Sequence, residues 1–434
     1  MDARDALWMP FTANRAFKKD PKVVAKAKGM ILEDEGGHKL IDGSAGLWCV
    51  NAGHGRKQIA EAVAKQIETL DYSSGFQLGT PGAFEVAEKI KALLPEGFGS
   101  VFFTNSGSES ADTALKIALA YHAAKGDPRR TLLVGRSKGY HGVNFGGLSV
   151  GGLPKNKKQF GPLLGNVAHI RDTHDLARNA FSVGQPEYGA EFADDLNRVI
   201  AVHGGDAIAA VIVEPMSGSG GVIIPPKGYL DRLAAICKAN GILLIFDEVI
   251  TGFGRMAAPF GAHHYGVTPD IVTMAKGLTN GTIPMGAVAC REGIRETIID
   301  SADPGIELFH GYTYSGHPVA SAAALATLAI YEEEDLFGHA AKMAPVLEKA
   351  VHSLKQSPGV IDIRNDGLVA GIEFEPDAHG AGHRGQAIFN ECWKRGVYVR
   401  FSGDIIAISP PLIVEEGHID QIATVLGDAI RAVV

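Results

Sequence analysis

The sequence predicts an α/β protein: a large, mostly parallel sheet covered on both faces by helices, with a smaller α+β part attached. Short unbroken apolar runs recur between residues 101 and 274, each of a length that suits a strand buried on both sides. Stretches of helical period lie between several of them, the alternation that builds parallel βαβ units. After about residue 315 the character changes. An Ala-rich helix is followed by short strands with more alternation, the pattern of a separate α+β layer.

The elements follow in chain order. KQIAEAVAKQIETL (57–70) places Ile59, Val63, Ile67 and Leu70 on one helical stripe. Thr80-Pro81 reads as an N-cap and first helical residue, opening a helix towards Pro95 with Val86, Ile90 and Leu93 inward. VFFT (101–104) is a strand that leads into NSGSES and then a helix. Leu115, Ala118 and Leu119 share one face of that helix, and Gly126 stops it. TLLV (131–134), AAVIVE (209–214), ILLIFDE (242–248) and IVTM (271–274) are further buried strands, and YLDRLAAICKANG (229–241) is a helix. Then come the helix SGHPVASAAALATLAIYEEE and the strands IDIR, LVAGIEF, VYVR and IIAI. A last helix from about 416 aligns Ile419, Ile422, Leu426 and Ile430. The predicted division puts 56–315 in a large ligand-binding domain, with 1–55 and 316–434 forming the small one.

The chain has 434 residues, 46% hydrophobic and 21% charged, which suits a large core and more than one domain. Net charge is -8 and no segment is densely basic, so nucleic acid and anionic membrane are excluded as main partners. Cys49, Cys237, Cys290 and Cys392 lie far apart with no CxxC pair. That argues against a disulfide framework or a Cys-rich zinc site, and predicts no metal and a reducing, cytoplasmic setting. The N-terminus lacks the apolar stretch of a secretory signal, and no run reaches the ~18 residues of a membrane span.

Several residues stand out chemically. Lys276 ends the apolar run IVTMAK. Lysines there usually reach for water, but one held in an apolar pocket has its charged form disfavoured and becomes an amine nucleophile, suited to a Schiff base. Asp247 closes ILLIFD at the carboxyl end of a strand, where open α/β sheets bind ligands. It either caps the following loop or holds a protonated ring nitrogen. In NSGSES the helix start, with Ser106 and Ser108, offers backbone N–H groups, hydroxyls and the positive end of a dipole to an anion. A plain Ser N-cap is the alternative. Tyr140 in GRSKGYHG is an aromatic at the same edge, or simply wall packing. No P-loop and no GxGxxG follows a strand, which weakens a nucleotide-dependent oxidoreductase. A phosphate, a flat pyridine ring, a ring nitrogen and an aldehyde satisfy all four features together, and pyridoxal 5'-phosphate carries all four.

NSGSE, YHG, VEP, DEVITGFGR, MAKG and HGYTYSGHP, in this order and spacing, resemble the class III pyridoxal-phosphate-dependent aminotransferases, of the aspartate-aminotransferase fold (fold type I). The similarity spans essentially the whole chain. LWMPFTANR, GLWCVNAGHGRK and VYVRFSGD carry a finer resemblance to the ω-amino acid (β-alanine):pyruvate transaminases.

The resemblance implies that Lys276 forms the Schiff base and shuttles the proton, and that Asp247 pairs with the ring nitrogen. It implies that Ser106, Gly107 and Ser108 cradle the phosphate, that Tyr140 and Val249 cover the two ring faces, and that Glu214 lies near the ring hydroxyl. Thr313 would reach the phosphate from a partner subunit, making the protein a homodimer or homotetramer. Arg400 would take the substrate carboxylate, with Trp48 and Phe76 lining the pocket. The implied reaction moves an amino group from a β-alanine-like donor to pyruvate by ping-pong kinetics. Rivals within the class are a 4-aminobutyrate, ornithine or diamine aminotransferase, or an aminomutase that needs no external keto acid. A non-catalytic cofactor-binding regulator would want a basic DNA-binding segment, and none is visible. Met256 after GFGR and the segment IIAISPPLI depart from the wider pattern; the second bears on the substrate pocket.

Overall fold

The computed structural model describes residues 6–434. Three strands come first: β1 (Val24–Lys28), β2 (Ile31–Asp34) and β3 (Lys39–Asp42). The middle of the chain supplies β4 (Phe98–Thr104), β5 (Leu132–Arg136), β6 (Val167–Ile170), β7 (Ile208–Val213), β8 (Leu243–Asp247), β9 (Ile271–Met274) and β10 (Gly286–Arg291). The last part supplies β11 (Val360–Asp366), β12 (Val369–Phe374), β13 (Val397–Tyr398), β14 (Arg400–Ser402) and β15 (Ile405–Ile408).

The middle strands form one sheet of order β4-β10-β9-β8-β7-β5-β6. Neighbours from β9 through to β6 are parallel, while β10 is antiparallel to both β4 and β9. Two reversals cancel, so β4 points the same way as β9 and only β10 runs backwards. Every residue of β7, β8 and β9 is buried. This is why they read as continuous apolar runs without alternation. The predicted mostly parallel α/β sheet is therefore present. Strands β6 and β10 had no counterpart in the sequence reading, nor did the helices Leu336–His352 and His383–Lys394. β10 opens on a glycine after the loop TNGTIPM, and its short run GAVACR carries no helical or alternating period of its own.

Helix ends show a similar mixture. Pro81 does open a helix, but Thr80 makes no side-chain cap, whereas Ser106 accepts from the Glu109 N–H at 3.2 Å. On the helix Lys57–Thr69 only Ile59 is buried; Ile67 and Leu70 are exposed.

The two ends of the chain meet in a second sheet, β1-β2-β3-β13, and β11-β12-β15-β14 form a third. One buried apolar cluster runs from Met30 and Ile41 through Val213 and Phe246 to Ile372 and Ile408, so all three sheets share a core. Guanidinium groups fasten the third sheet to the first. Arg364 on β11 donates to the carbonyls of Gly221 and Val222 at 2.6 and 3.0 Å, and to Asp362 and Glu373 at 2.5 and 2.6 Å. His174, 3.3 Å from Glu373, completes a trio with Asp362 that could hold a cation. The cation it holds is this guanidinium.

Burial alone would raise the Glu373 pKa, but the His174 hydrogen bond and the Arg364 charge outweigh it and hold the carboxyl at about 2. Arg364→Met should strand two carboxylates in a buried place and cost about 3–5 kcal/mol in urea unfolding at neutral pH. A depressed carboxyl pKa contributes stability above its unfolded value and loses it as pH falls through the folded one. The deficit of the variant should therefore shrink between pH 4.5 and about 2.

Candidate active site

The carboxyl ends of β4, β5, β7, β8 and β9 all reach one edge of the central sheet, and a cavity of about 550 Å³ opens there. Asp247, the last residue of β8, is buried at its floor. One carboxylate oxygen lies 2.8 Å from His141 Nδ1; the other accepts from Thr273 Oγ1 at 3.0 Å and from the Val249 N–H at 3.2 Å. The carboxylate is thus fixed in orientation from three sides. His141 is fully buried and its Nε2 has no partner. Sequence reading missed it: YHG was noted, but only its tyrosine was given a role.

Lys276 follows β9 and borders the same cavity. Its backbone is left-handed, with φ of 48°, a conformation in which a lysine persists only when its surroundings over-determine it. Burial lowers its pKa, with Arg400 acting the same way and Cys49, Asp247 and Glu214 opposing. No hydrogen bond or ion pair engages its amine among the described residues. An unengaged amine with a depressed pKa is a nucleophile.

Beyond β4 the helix Gly107–Ala124 starts with Ser106 as its cap, and Gly107 and Ser108 line the cavity. An 18-residue helix presents its positive end and free N–H groups here. Ser108 Oγ accepts from the Val143 N–H at 3.1 Å, leaving its O–H to donate to a ligand. Ser106 itself stands outside the cavity because its hydroxyl is turned onto the helix. Tyr140 and Val249 border the cavity. The Tyr140 N–H donates to Glu214 at 2.9 Å, and the other Glu214 oxygen accepts from the Gly218 N–H at 3.0 Å. Burial raises the pKa of Glu214.

Arg400 on β14 and Trp48, at the end of the short helix Ala45–Trp48 after β3, also line the cavity. Arg400 is half-buried and, among the described residues, forms no ion pair, unlike an ordinary surface arginine. Trp48 is buried with its Nε1 unpartnered. Phe76 and Thr313 are not in the cavity of this chain. Phe76 is exposed beside Gly311, and the exposed Thr313 offers its carbonyl to the Tyr72 hydroxyl at 3.0 Å.

A nest of donors, an oriented carboxylate, a free amine and an aromatic wall around one slot fit pyridoxal 5'-phosphate group by group. The fold and this slot define a fold type I pyridoxal-phosphate enzyme. A family model described as aminotransferase class-III matches residues 13–430, and the chain belongs to that family. It is 55% identical to an omega-aminotransferase of Caulobacter vibrioides, covering 96% of this chain and 95% of that one. It is 48% identical to a beta-alanine–pyruvate aminotransferase of Pseudomonas aeruginosa, covering 99% and 96%. A solved omega transaminase from Pseudomonas jessenii in complex with PMP superposes with a TM-score of 0.94 at 33% identity, covering 99% and 97%. The protein is an aminotransferase whose cofactor is pyridoxal phosphate.

A Cβ on Gly107 would lie 2.9 Å from Val249 Cγ1. Gly107→Ala should therefore push Val249 into the slot and weaken cofactor binding about tenfold or more, read by absorbance titration of the cofactor-free protein. An unchanged dissociation constant would show that Val249 yields in another direction.

Proposed function

We propose that the protein transfers an amino group from a β-alanine-like ω-amino acid or amine to pyruvate, giving L-alanine and a semialdehyde or ketone. The observation that carries this reading is Arg400, a half-buried guanidinium with no protein carboxylate, facing the cavity that holds Lys276. Its planar guanidinium can take a carboxylate on the substrate through two parallel N–H bonds, and both β-alanine and pyruvate bring one. The names of the 55% and 48% identical relatives support the same substrates.

The bound cofactor supplies a carbonyl for the donor amine and an electron sink for charge developing on the donor carbon. Lys276 would hold the cofactor through its carbonyl, and its amine would serve as the general acid–base that moves a proton at the donor carbon. Asp247 would keep a proton on the ring nitrogen, and His141 and Thr273 keep Asp247 aimed. The Coulomb interaction of such a close pair is roughly 4 kcal/mol at an effective dielectric of 20. Gly107 and Ser108 would hold the phosphate, with Ser106 acting through the helix cap. Tyr140 and Val249 would enclose the ring, Glu214 would lie towards its hydroxyl, and Trp48 would bound the substrate space.

Thr313 and Phe76 serve the site of a second copy in a homodimer or homotetramer. Support comes from the exposed Ile67, Leu70, Phe76, Leu78, Phe84 and Phe309, apolar side chains on neighbouring segments that a single chain leaves in water. The cytoplasm is the proposed location, supported by four free cysteines, three of them buried. No helix among the described residues is long and apolar enough to cross a membrane.

Borohydride reduction of the yellow holoprotein followed by peptide mapping should label Lys276; Lys276→Ala should bind cofactor without that bond and without turnover. Label on another lysine sinks the assignment. Arg400→Ala should weaken use of pyruvate and β-alanine by roughly 1.5–3 kcal/mol, about tenfold to more than a hundredfold. The half-reaction with 1-phenylethylamine, which has no carboxylate, should change far less. Equal losses in both would make Arg400 structural and place the carboxylate site elsewhere.

A further inference from the structure

The left-handed backbone at Lys276 needs something to hold it, and the turn that follows is gripped from two sides. On the helix Pro318–Glu333, the Tyr331 hydroxyl donates to the Gly277 carbonyl at 2.6 Å. On the opposite flank Asn51 lies against Gly277, where an added Cβ would stand 2.8 Å from its Nδ2. Asn51 is itself pinned. Its Nδ2 donates to the Phe253 carbonyl at 2.8 Å, and its Oδ1 accepts from Arg255 Nη2 at 2.9 Å. Asn280 closes the turn by donating to the Gly53 carbonyl at 2.9 Å and accepting from the Ala52 N–H at 2.8 Å. All four polar side chains are buried, and Arg255 is 0% exposed with no carboxylate among its partners.

The same network reaches the sheet that bears Arg400. Arg255 Nη1 donates to the carbonyls of Leu368 and Pro410 at 3.0 and 2.6 Å, and the Leu412 N–H donates to the Asn51 carbonyl at 2.7 Å. Residues 410–412 follow directly on β15, the partner of β14.

We propose that Tyr331 and Asn51 are positioning residues for Lys276. By fixing the carbonyl and the α-carbon of the next residue, they hold Lys276 in the conformation that borders the cavity. Through Arg255 and Leu412 they also register it against the sheet of Arg400. This rests on Lys276 being the cofactor-bound amine. A group held in this way delivers its proton along one path, so loosening the grip should lower the rate of proton transfer more than substrate affinity.

Tyr331→Phe removes one hydroxyl and little volume. Tyr229→Phe is the control, because Tyr229 is equally buried and the charged group beside it is Arg136, not the turn after Lys276. In Tyr331→Phe holoprotein, the single-turnover rates with 1-phenylethylamine and with β-alanine should both fall about tenfold or more, with half-saturating concentrations little changed. The pH midpoint of the visible absorption band should move by about half a unit or more, since Lys276 nitrogen would change its surroundings. Tyr229→Phe should show neither effect. Asn51→Asp keeps the shape, gives Arg255 a carboxylate and removes the donor to Phe253. It should repeat both effects and serves if Tyr331→Phe does not accumulate as folded protein. Unchanged rates and midpoint, with or without a lower melting temperature, would overturn the proposal and leave Tyr331 merely structural. Borohydride labelling separates the two readings: label on another lysine overturns the role of Lys276 itself, whereas label on Lys276 with unchanged chemistry overturns only this inference.

Discussion

A lysine amine enclosed in a cavity, bonded to no acceptor among the described residues, is the constraint from which the rest of the site follows. Burial disfavours its charged form. Left alone, such a group would be a defect, and a chain could remove it by substituting any apolar residue. Here the surroundings do the opposite. They force the backbone into a left-handed turn to keep the amine at the cavity, and set a carboxylate and a helix start around the same space. In the proposed reading, a cofactor carrying a carbonyl, a basic ring nitrogen and a phosphate would turn each of these local costs into an interaction.

Sheet direction makes that arrangement possible. Reading across the edge, β4 brings the helix start, β9 brings Lys276, β8 Asp247, β7 Glu214 and β5 the Tyr140 loop. The reversed β10 sits between β4 and β9, which spaces the helix start from the lysine by two inter-strand steps of about 5 Å each. The loop after β5 then crosses back over the edge. Its Tyr140 N–H bonds Glu214, its His141 bonds Asp247 and its Val143 N–H bonds Ser108. Three contacts within four residues carry it across β7 and β8 to the start of the helix after β4, closing one wall of the slot.

What was legible in the sequence was whatever a residue announces locally. Strands buried on both faces are apolar runs, and charged or hydroxyl residues at their ends mark the functional edge. So β7, β8 and β9 were found together with Asp247, Lys276 and Tyr140. Features that depend on distant partners were not legible. Ser106 and Ser108 look alike in NSGSES, yet one hydroxyl caps the helix while the other faces the cavity, and only the path of the chain separates them. His141 contacts a residue 106 positions away and Tyr331 one 54 positions away. Nothing beside them in sequence signals either bond. The stripe Ile59, Val63, Ile67 and Leu70 was legible as one apolar face, but not that only Ile59 would be buried, because helical period shows that a face is apolar and not what covers it.

Guanidinium-to-carbonyl bonds recur along the seam between the central sheet and the sheet of Arg400. Arg255 reaches Leu368 and Pro410, Arg364 reaches Gly221 and Val222, and the Ser402 hydroxyl reaches the Ser219 carbonyl at 3.1 Å. Carbonyls do not titrate. Burial lowers the Arg255 pKa only to about 10, so it too stays charged at neutral pH. Beside them the same seam carries His174 3.3 Å from Glu373 and His264 2.8 Å from Asp366. The bonds from Arg255 to backbone carbonyls are the part of the joint whose acceptors carry no charge to lose, and they are the ones that tie the turn after Lys276 to the sheet of Arg400.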